Sequence, residues 1–98
     1  MIAVSTHEIE IVTSIIKKHA PNSKVIAFGS RYKGTHNPAS DLDLAIIGDN
    51  INLSILANIK EDFMESDLPY KVDIIDYRHI SPQFKEIVDS GHCEIYPK

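Results

Sequence analysis

Two periods of apolar residues run along the chain. Ile9, Val12 and Ile16, with Ile11 and Ile15 beside them, recur at the three- and four-residue spacing of a helix. Ser5 and Glu8 precede them as Ser-x-x-Glu, a pattern in which each side chain caps the other's backbone N–H. Pro21 stops the run, so the first helix is expected over about Thr6 to His19. Pro21-Asn22-Ser23 makes a turn, and Lys24–Phe28 reads as a short buried strand. After Gly29 a short helical turn is expected at about Ser30–Lys33, followed by a polar loop, Gly34 to Ser40. The second strand is expected from about Asp41 to Ile47; beyond Asp43 it is apolar on both faces, as a central strand is.

Gly48-Asp49-Asn50 then turns the chain. Asn52 is placed to cap a helix carrying Leu53, Leu56, Ala57, Ile59, Phe63 and Met64, which ends near Ser66 ahead of Leu68-Pro69. Lys71 to Asp76, with Val72, Ile74 and Ile75, is the third strand. Ser81-Pro82 is an N-cap followed by proline at the first helical position, Phe84, Ile87 and Val88 supply that helix with an apolar face, and Gly91 ends it. Glu94-Ile95-Tyr96 is either a last short strand or a packed tail. The order α-β-α-β-α-β-α predicts an α/β layer, a small mixed three-stranded sheet with room for a short fourth strand, flanked by helices. The 98 residues suit one domain, with no repeat, linker or low-complexity tract.

Composition narrows the function. The net charge of −4 argues against nucleic acid as the main partner, because phosphate backbones attract basic faces. No apolar run approaches the ~20 residues that cross a bilayer, and Met1–Ser5 lacks the basic and apolar regions of a signal peptide. Cys93 is the one cysteine, which excludes an internal disulfide, and the five histidines have no paired ligand spacing, which argues against zinc. Together these features point to a cytoplasmic protein.

The chemistry concentrates between the first two strands. Gly29-Ser30 follows the apolar run Val25–Phe28, and Asp41-Leu42-Asp43 opens the next. Alternate residues of a strand share a face, so Asp41 and Asp43 point the same way. Two like charges on one face suit a divalent cation, and Mg²⁺ prefers carboxylates together with substrate phosphates. A bare glycine backbone and the Ser30 hydroxyl can approach such a phosphate chain. The plain alternatives are an Asx turn for the aspartates and a tight strand-to-helix turn for Gly29-Ser30.

Gly-Ser, ten residues, then Asp-x-Asp is the pattern of the nucleotidyltransferase superfamily. Gly29-Ser30-Arg31-Tyr32-Lys33-Gly34 and Ser40-Asp41-Leu42-Asp43-Leu44 resemble, more narrowly, the minimal nucleotidyltransferase family. The resemblance implies Mg²⁺-ATP as the bound species, transfer of AMP to an acceptor hydroxyl and release of pyrophosphate. It also implies an antitoxin that silences a HEPN-domain ribonuclease by adding AMP to a tyrosine of that toxin. It assigns Asp41 and Asp43 to a two-metal site and requires a third carboxylate on the neighbouring strand. Asp73 fits that place, with a part in activating the acceptor hydroxyl. Asp76 is three residues on, faces the other side of a regular strand and is better suited to a strand-end cap. Gly29, Ser30 and Arg31 would hold the nucleotide. Arg31 and Lys33 would neutralise triphosphate charge, contact the partner or simply be solvated; His36 is a loop histidine within reach of the nucleotide or free in water. The competing functions are an antitoxin acting by contact alone, and a catalytic subunit whose small-molecule or nucleic-acid acceptor is held by another chain.

Overall fold

The computed structural model of the chain describes residues 4–29 and 41–97. The turn expected at Ser30–Lys33 and the loop Gly34 to Ser40 lie outside them.

Helix α1 spans Thr6–His19. The Ser5 hydroxyl accepts from the Glu8 N–H and the Glu8 carboxylate accepts from the Ser5 N–H, each at 3.1 Å, so the capping box closes as the sequence predicts. Strand β1 is Lys24–Phe28 and β2 is Leu42–Ile47. Strand β2 begins one residue later than expected because Asp41 stays exposed and the first bridging bond runs from the Leu42 N–H to the Lys71 carbonyl, at 2.9 Å. Helix α2 is Leu53–Glu65, with the Asn52 side chain accepting from the Ile55 N–H at 2.9 Å. Strand β3 is Val72–Asp76, α3 is Pro82–Ser90 with Ser81 as its cap, and β4 is Cys93–Tyr96. Gly91 closes α3 in an extended conformation at φ −171°, with no left-handed residue involved. A single 3₁₀ turn, Tyr77–His79, links β3 to α3 and has no clear signature in the sequence.

The sheet order is β3-β2-β1-β4. β1 runs antiparallel to both neighbours, whereas β2 and β3 are parallel, with α2 as the crossover a parallel pair needs. The last segment is therefore a strand rather than a packed tail, anchored where the Tyr96 hydroxyl donates to the Pro21 carbonyl at 2.9 Å.

Alternation along the strands divides the core in two. Val25, Ala27, Leu42, Leu44, Ile46, Val72 and Ile74 face α1 and α2 and are buried with Val12, Ile16, Ile59 and Phe63. Each such side chain contributes about 1.5–3 kcal/mol when taken out of water, so this layer holds most of the stability. The two helices are also tied by polar contacts: Asp62 receives the His19 ring at 2.6 Å and the Lys18 ammonium at 3.3 Å. The opposite face has the smaller cluster Ile26, Phe28, Ala45 and Val88 under α3, where Phe84 stacks edge-on against Phe28 at 5.8 Å. Among the described residues no helix is long and apolar enough to cross a membrane.

Candidate active site

The face that α3 leaves partly open carries the aspartates. Asp43 is the second residue of β2, and its register partners are Phe28 on β1 and Asp73 on β3. Leu42 and Leu44, then Val72 and Ile74, point into the α1/α2 layer. The residues between them, Asp43 and Asp73, therefore project from the other face, on neighbouring strands about 4.8 Å apart. Asp41 stands just before β2, exposed, two positions from Asp43 and hence on the same side.

The other two carboxylates act on Asp43. The Asp43 carboxyl is half-buried, and its pKa is raised above the ordinary value, first by that burial, then by the charge of Asp73, then by that of Asp41. A cation beside Asp43 would offset the two like charges.

Gly29, immediately after β1, completes the local geometry. Its φ of 81° is in the left-handed region that side chains other than glycine's avoid. A Cβ built there would overlap the Asp43 Oδ2 atom and lie 3.2 Å from its Cγ. Glycine is required twice over, by the backbone angle and by the carboxylate pressed against the space a side chain would fill.

The donor set suits Mg²⁺ carried by a nucleotide. Among the described residues no group of three His, Cys, Asp or Glu side chains encloses a metal by itself. Mg²⁺ has no need of such a cage, since it is usually held by one or two carboxylates and completes its shell with waters and substrate phosphates. Asp43 and Asp41 are the residues that would hold it, with Asp73, the third carboxylate the sequence pattern expects at a metal site, in register on the neighbouring strand. Ser30 and Arg31, expected to bind the nucleotide, lie outside the described residues, as do Tyr32, Lys33 and His36.

Asp76 belongs to a different structure. It is buried on the α1/α2 side, where its carboxylate caps the 3₁₀ turn by accepting from the Arg78 N–H at 3.1 Å. It also meets the Arg78 guanidinium at 3.4 Å and the His79 ring at 3.5 Å. Arg78 in turn donates to the carbonyls of Asp49 and Ile51, at 3.1 and 3.0 Å, and so fastens the turn after β2 to the end of β3. Nothing near Arg78 in the chain announces this clamp, because its partners lie 27–29 residues away.

Residues 10–97 match the family described as polymerase beta, nucleotidyltransferase. The chain belongs to the nucleotidyltransferase family. Over 97 residues it is 42% identical to the probable protein adenylyltransferase MntA of Haemophilus influenzae, with 97% of this chain and 84% of that relative covered. This nucleotidyltransferase thus falls in the minimal branch that Gly29-Ser30 and Asp41-Leu42-Asp43 resemble. Two solved structures share its fold. One, a toxin–antitoxin with AMP-PNP, superposes with a TM-score of 0.76 at 21% identity, covering 92% of this chain and 73% of the other. The second, a mutant MntA–HpeT toxin–antitoxin, gives 0.75 at 18% identity over the same shares.

Proposed function

We propose that this nucleotidyltransferase is an antitoxin that transfers AMP from Mg²⁺-ATP to a tyrosine hydroxyl of a partner toxin, a HEPN-type ribonuclease. The observation that carries the reading is the Asp43–Asp73 register pair beside the Cβ-free Gly29. One side of Asp43 offers bare backbone to a phosphate chain, and the other offers a second carboxylate to an acceptor. The 42% identical relative named as a probable protein adenylyltransferase supports AMP as the group moved, and the toxin–antitoxin neighbours of the same fold support a toxin as the partner.

In this reading Asp41 and Asp43 hold Mg²⁺, and Gly29, Ser30 and Arg31 hold the β- and γ-phosphates. The metal, when bound, neutralises phosphate charge and lowers the barrier to displacement. Asp73 accepts the proton of the attacking hydroxyl. The acceptor oxygen bonds to the α-phosphorus as the bond to the β-phosphate oxygen breaks, and pyrophosphate leaves. The protein's contribution is to position groups and stabilise charge, which is most of what phosphoryl-transfer enzymes supply.

The test is labelled-ATP incorporation with the co-purified partner, followed by intact-mass spectrometry of both chains. The partner should gain mass in AMP units and lose ribonuclease activity, and Asp73→Asn should slow the transfer at least ~100-fold, as loss of an acid–base group does. Asp76→Asn should leave transfer nearly intact. A partner that is inhibited without being modified would replace this reading with inhibition by contact.

A further inference from the structure

The smaller hydrophobic cluster carries an aromatic ring that packing alone does not use up. On the face where the aspartates stand, Ile26 and Ala45 are register partners across β1 and β2, and Val88 of α3 packs in one cluster with them. Phe28 and Asp43 are the next register pair on that face, at the strand ends beside Gly29. The Phe84 ring of α3 stands edge-on to Phe28, with centroids 5.8 Å apart and planes at 89°. Phe28 is buried, whereas Phe84 keeps 37% of its surface in water and Ile87, one turn further on, keeps 54%. An exposed aromatic ring is thus held one side chain away from Asp43.

The direction of the transfer decides what such a ring can meet. Gly29, Asp43 and Asp73 follow one another across β1, β2 and β3. In-line displacement sets the leaving phosphates and the attacking oxygen on one line through the reacting phosphorus. The nucleoside belongs to neither end, so it leaves that line to one side. Along the strands from Phe28 and Asp43 stands α3, and a nucleoside turned that way meets Phe84. Bases stack on aromatic side chains through their flat faces. The contact with Phe28 already holds the Phe84 ring, so little side-chain freedom is left to lose on stacking. Among the described residues the other exposed large apolar side chains, Leu53 and Met64, are both on α2, in the layer on the opposite side of the sheet.

We propose that Phe84, flanked by Ile87, seats the base of the nucleotide and sets a preference for purine triphosphates, whose two-ring bases cover more of its face than one-ring pyrimidines do. Phe84 is in this role a specificity residue for the nucleoside, and the phosphates and the metal are left to Gly29, Ser30, Asp41 and Asp43. The assignment rests on the Mg²⁺-ATP part of the transfer reading above and adds to it the group that tells one nucleotide from another.

The experiment titrates the full chain, with Mg²⁺, against ATP, UTP and inorganic tripolyphosphate, beside labelled-ATP transfer to the toxin. The parent should bind ATP more tightly than UTP. Phe84→Leu keeps an apolar contact with Phe28 and removes the ring. It should weaken ATP binding about tenfold, the size of one lost base–aromatic stack, weaken UTP binding less, and leave tripolyphosphate binding at the parent's value. Phe84→Trp should restore the ATP affinity. Leu53→Ala, an exposed apolar change on the opposite side of the sheet, should leave all three affinities as they are. Equal affinity of the parent for ATP and UTP, unchanged ATP affinity in Phe84→Leu, or a loss shared equally by ATP and tripolyphosphate would overturn the assignment. Unchanged nucleotide affinities with a raised KM for the toxin would overturn it too, and would make Phe84 a partner contact. A parent that binds ATP through Phe84 and labels no toxin would uphold the seat while removing the transfer reading. A parent that binds neither ATP nor tripolyphosphate would remove both.

Discussion

Asp73 and Ile74 are chain neighbours with opposite surroundings. Ile74 is fully buried beneath the helices, whereas Asp73 is exposed beside a cleft. Leu42 and Asp43 repeat the contrast one strand away. The face turned to α1 and α2 is filled with aliphatic side chains and holds the sheet's shape; the face turned away carries like charges that oppose one another. Because alternate residues of the same strands build both, the rigid face sets the spacing of the reactive one, and the reactive one weakens the fold.

The hardest way to break the comparison is to reverse it. Ile74→Asp would bury an unpaired carboxylate in the helical layer at a cost of several kcal/mol, a large share of the roughly 5–15 kcal/mol that holds a domain together. The variant should be unfolded or nearly so by circular dichroism, while Asp73→Asn keeps a cooperative melt.

Asp43→Asn sharpens the contrast instead. Transfer should fall at least ~100-fold in the labelled-ATP assay. The melting temperature should nevertheless rise by about 1–4 °C at neutral pH, less than the ~4–8 °C that a full 1 kcal/mol gives in a domain this small, because half-exposed charges are screened. The sign follows from the raised pKa of Asp43. The folded state holds that proton more tightly than the unfolded chain, so stability declines as pH climbs from the ordinary carboxylate value through the raised one. The advantage of Asn should be present above that window and vanish below it. A variant less stable than the parent at pH 7 would contradict the charge crowding.

Gly29→Ala tests the junction of the two roles. Left-handed backbone costs a residue with a Cβ roughly 1–2 kcal/mol, and the new methyl must displace the Asp43 carboxylate. Lower stability and weaker nucleotide binding should appear together, by thermal melt and by titration.

The smallest effect concerns the covered side. Hydrogen bonding from His19, then the Lys18 contact and the charges of both, hold the Asp62 pKa below the usual value against some desolvation. A depressed carboxylate pKa supplies stability at pH values above its unfolded value, and that stability is lost as pH falls through the folded one. Asp62→Asn should therefore melt slightly below the parent at pH 7, and the gap should start to close only below about pH 4, vanishing once the pH has fallen through the depressed folded-state value.

Much of this contrast was legible in the chain. Strand parity alone separates Asp73 from Asp76, and the structure finds Asp76 buried as a cap and Asp73 in register with Asp43. Caps at Ser5, Asn52 and Ser81 announced three helix starts, because their partners lie within one turn. What was hidden depends on distance along the chain. The Arg78 clamp, the His19–Asp62 tie and the seating of β4 against β1 join segments that only packing brings together.

The pairing of β1 with β4 governs when the sheet can close during synthesis. Tyr96 reaches back across 75 residues to the Pro21 carbonyl, and β1 keeps an unpaired edge until Cys93–Tyr96 has left the ribosome. Contacts so distant in sequence form slowly, and an open strand edge invites pairing with other chains in the meantime. A nascent chain stopped before Cys93 would hold Gly29, Asp43 and Asp73 yet lack the strand that closes that edge, so its catalytic face would exist before the sheet behind it is complete.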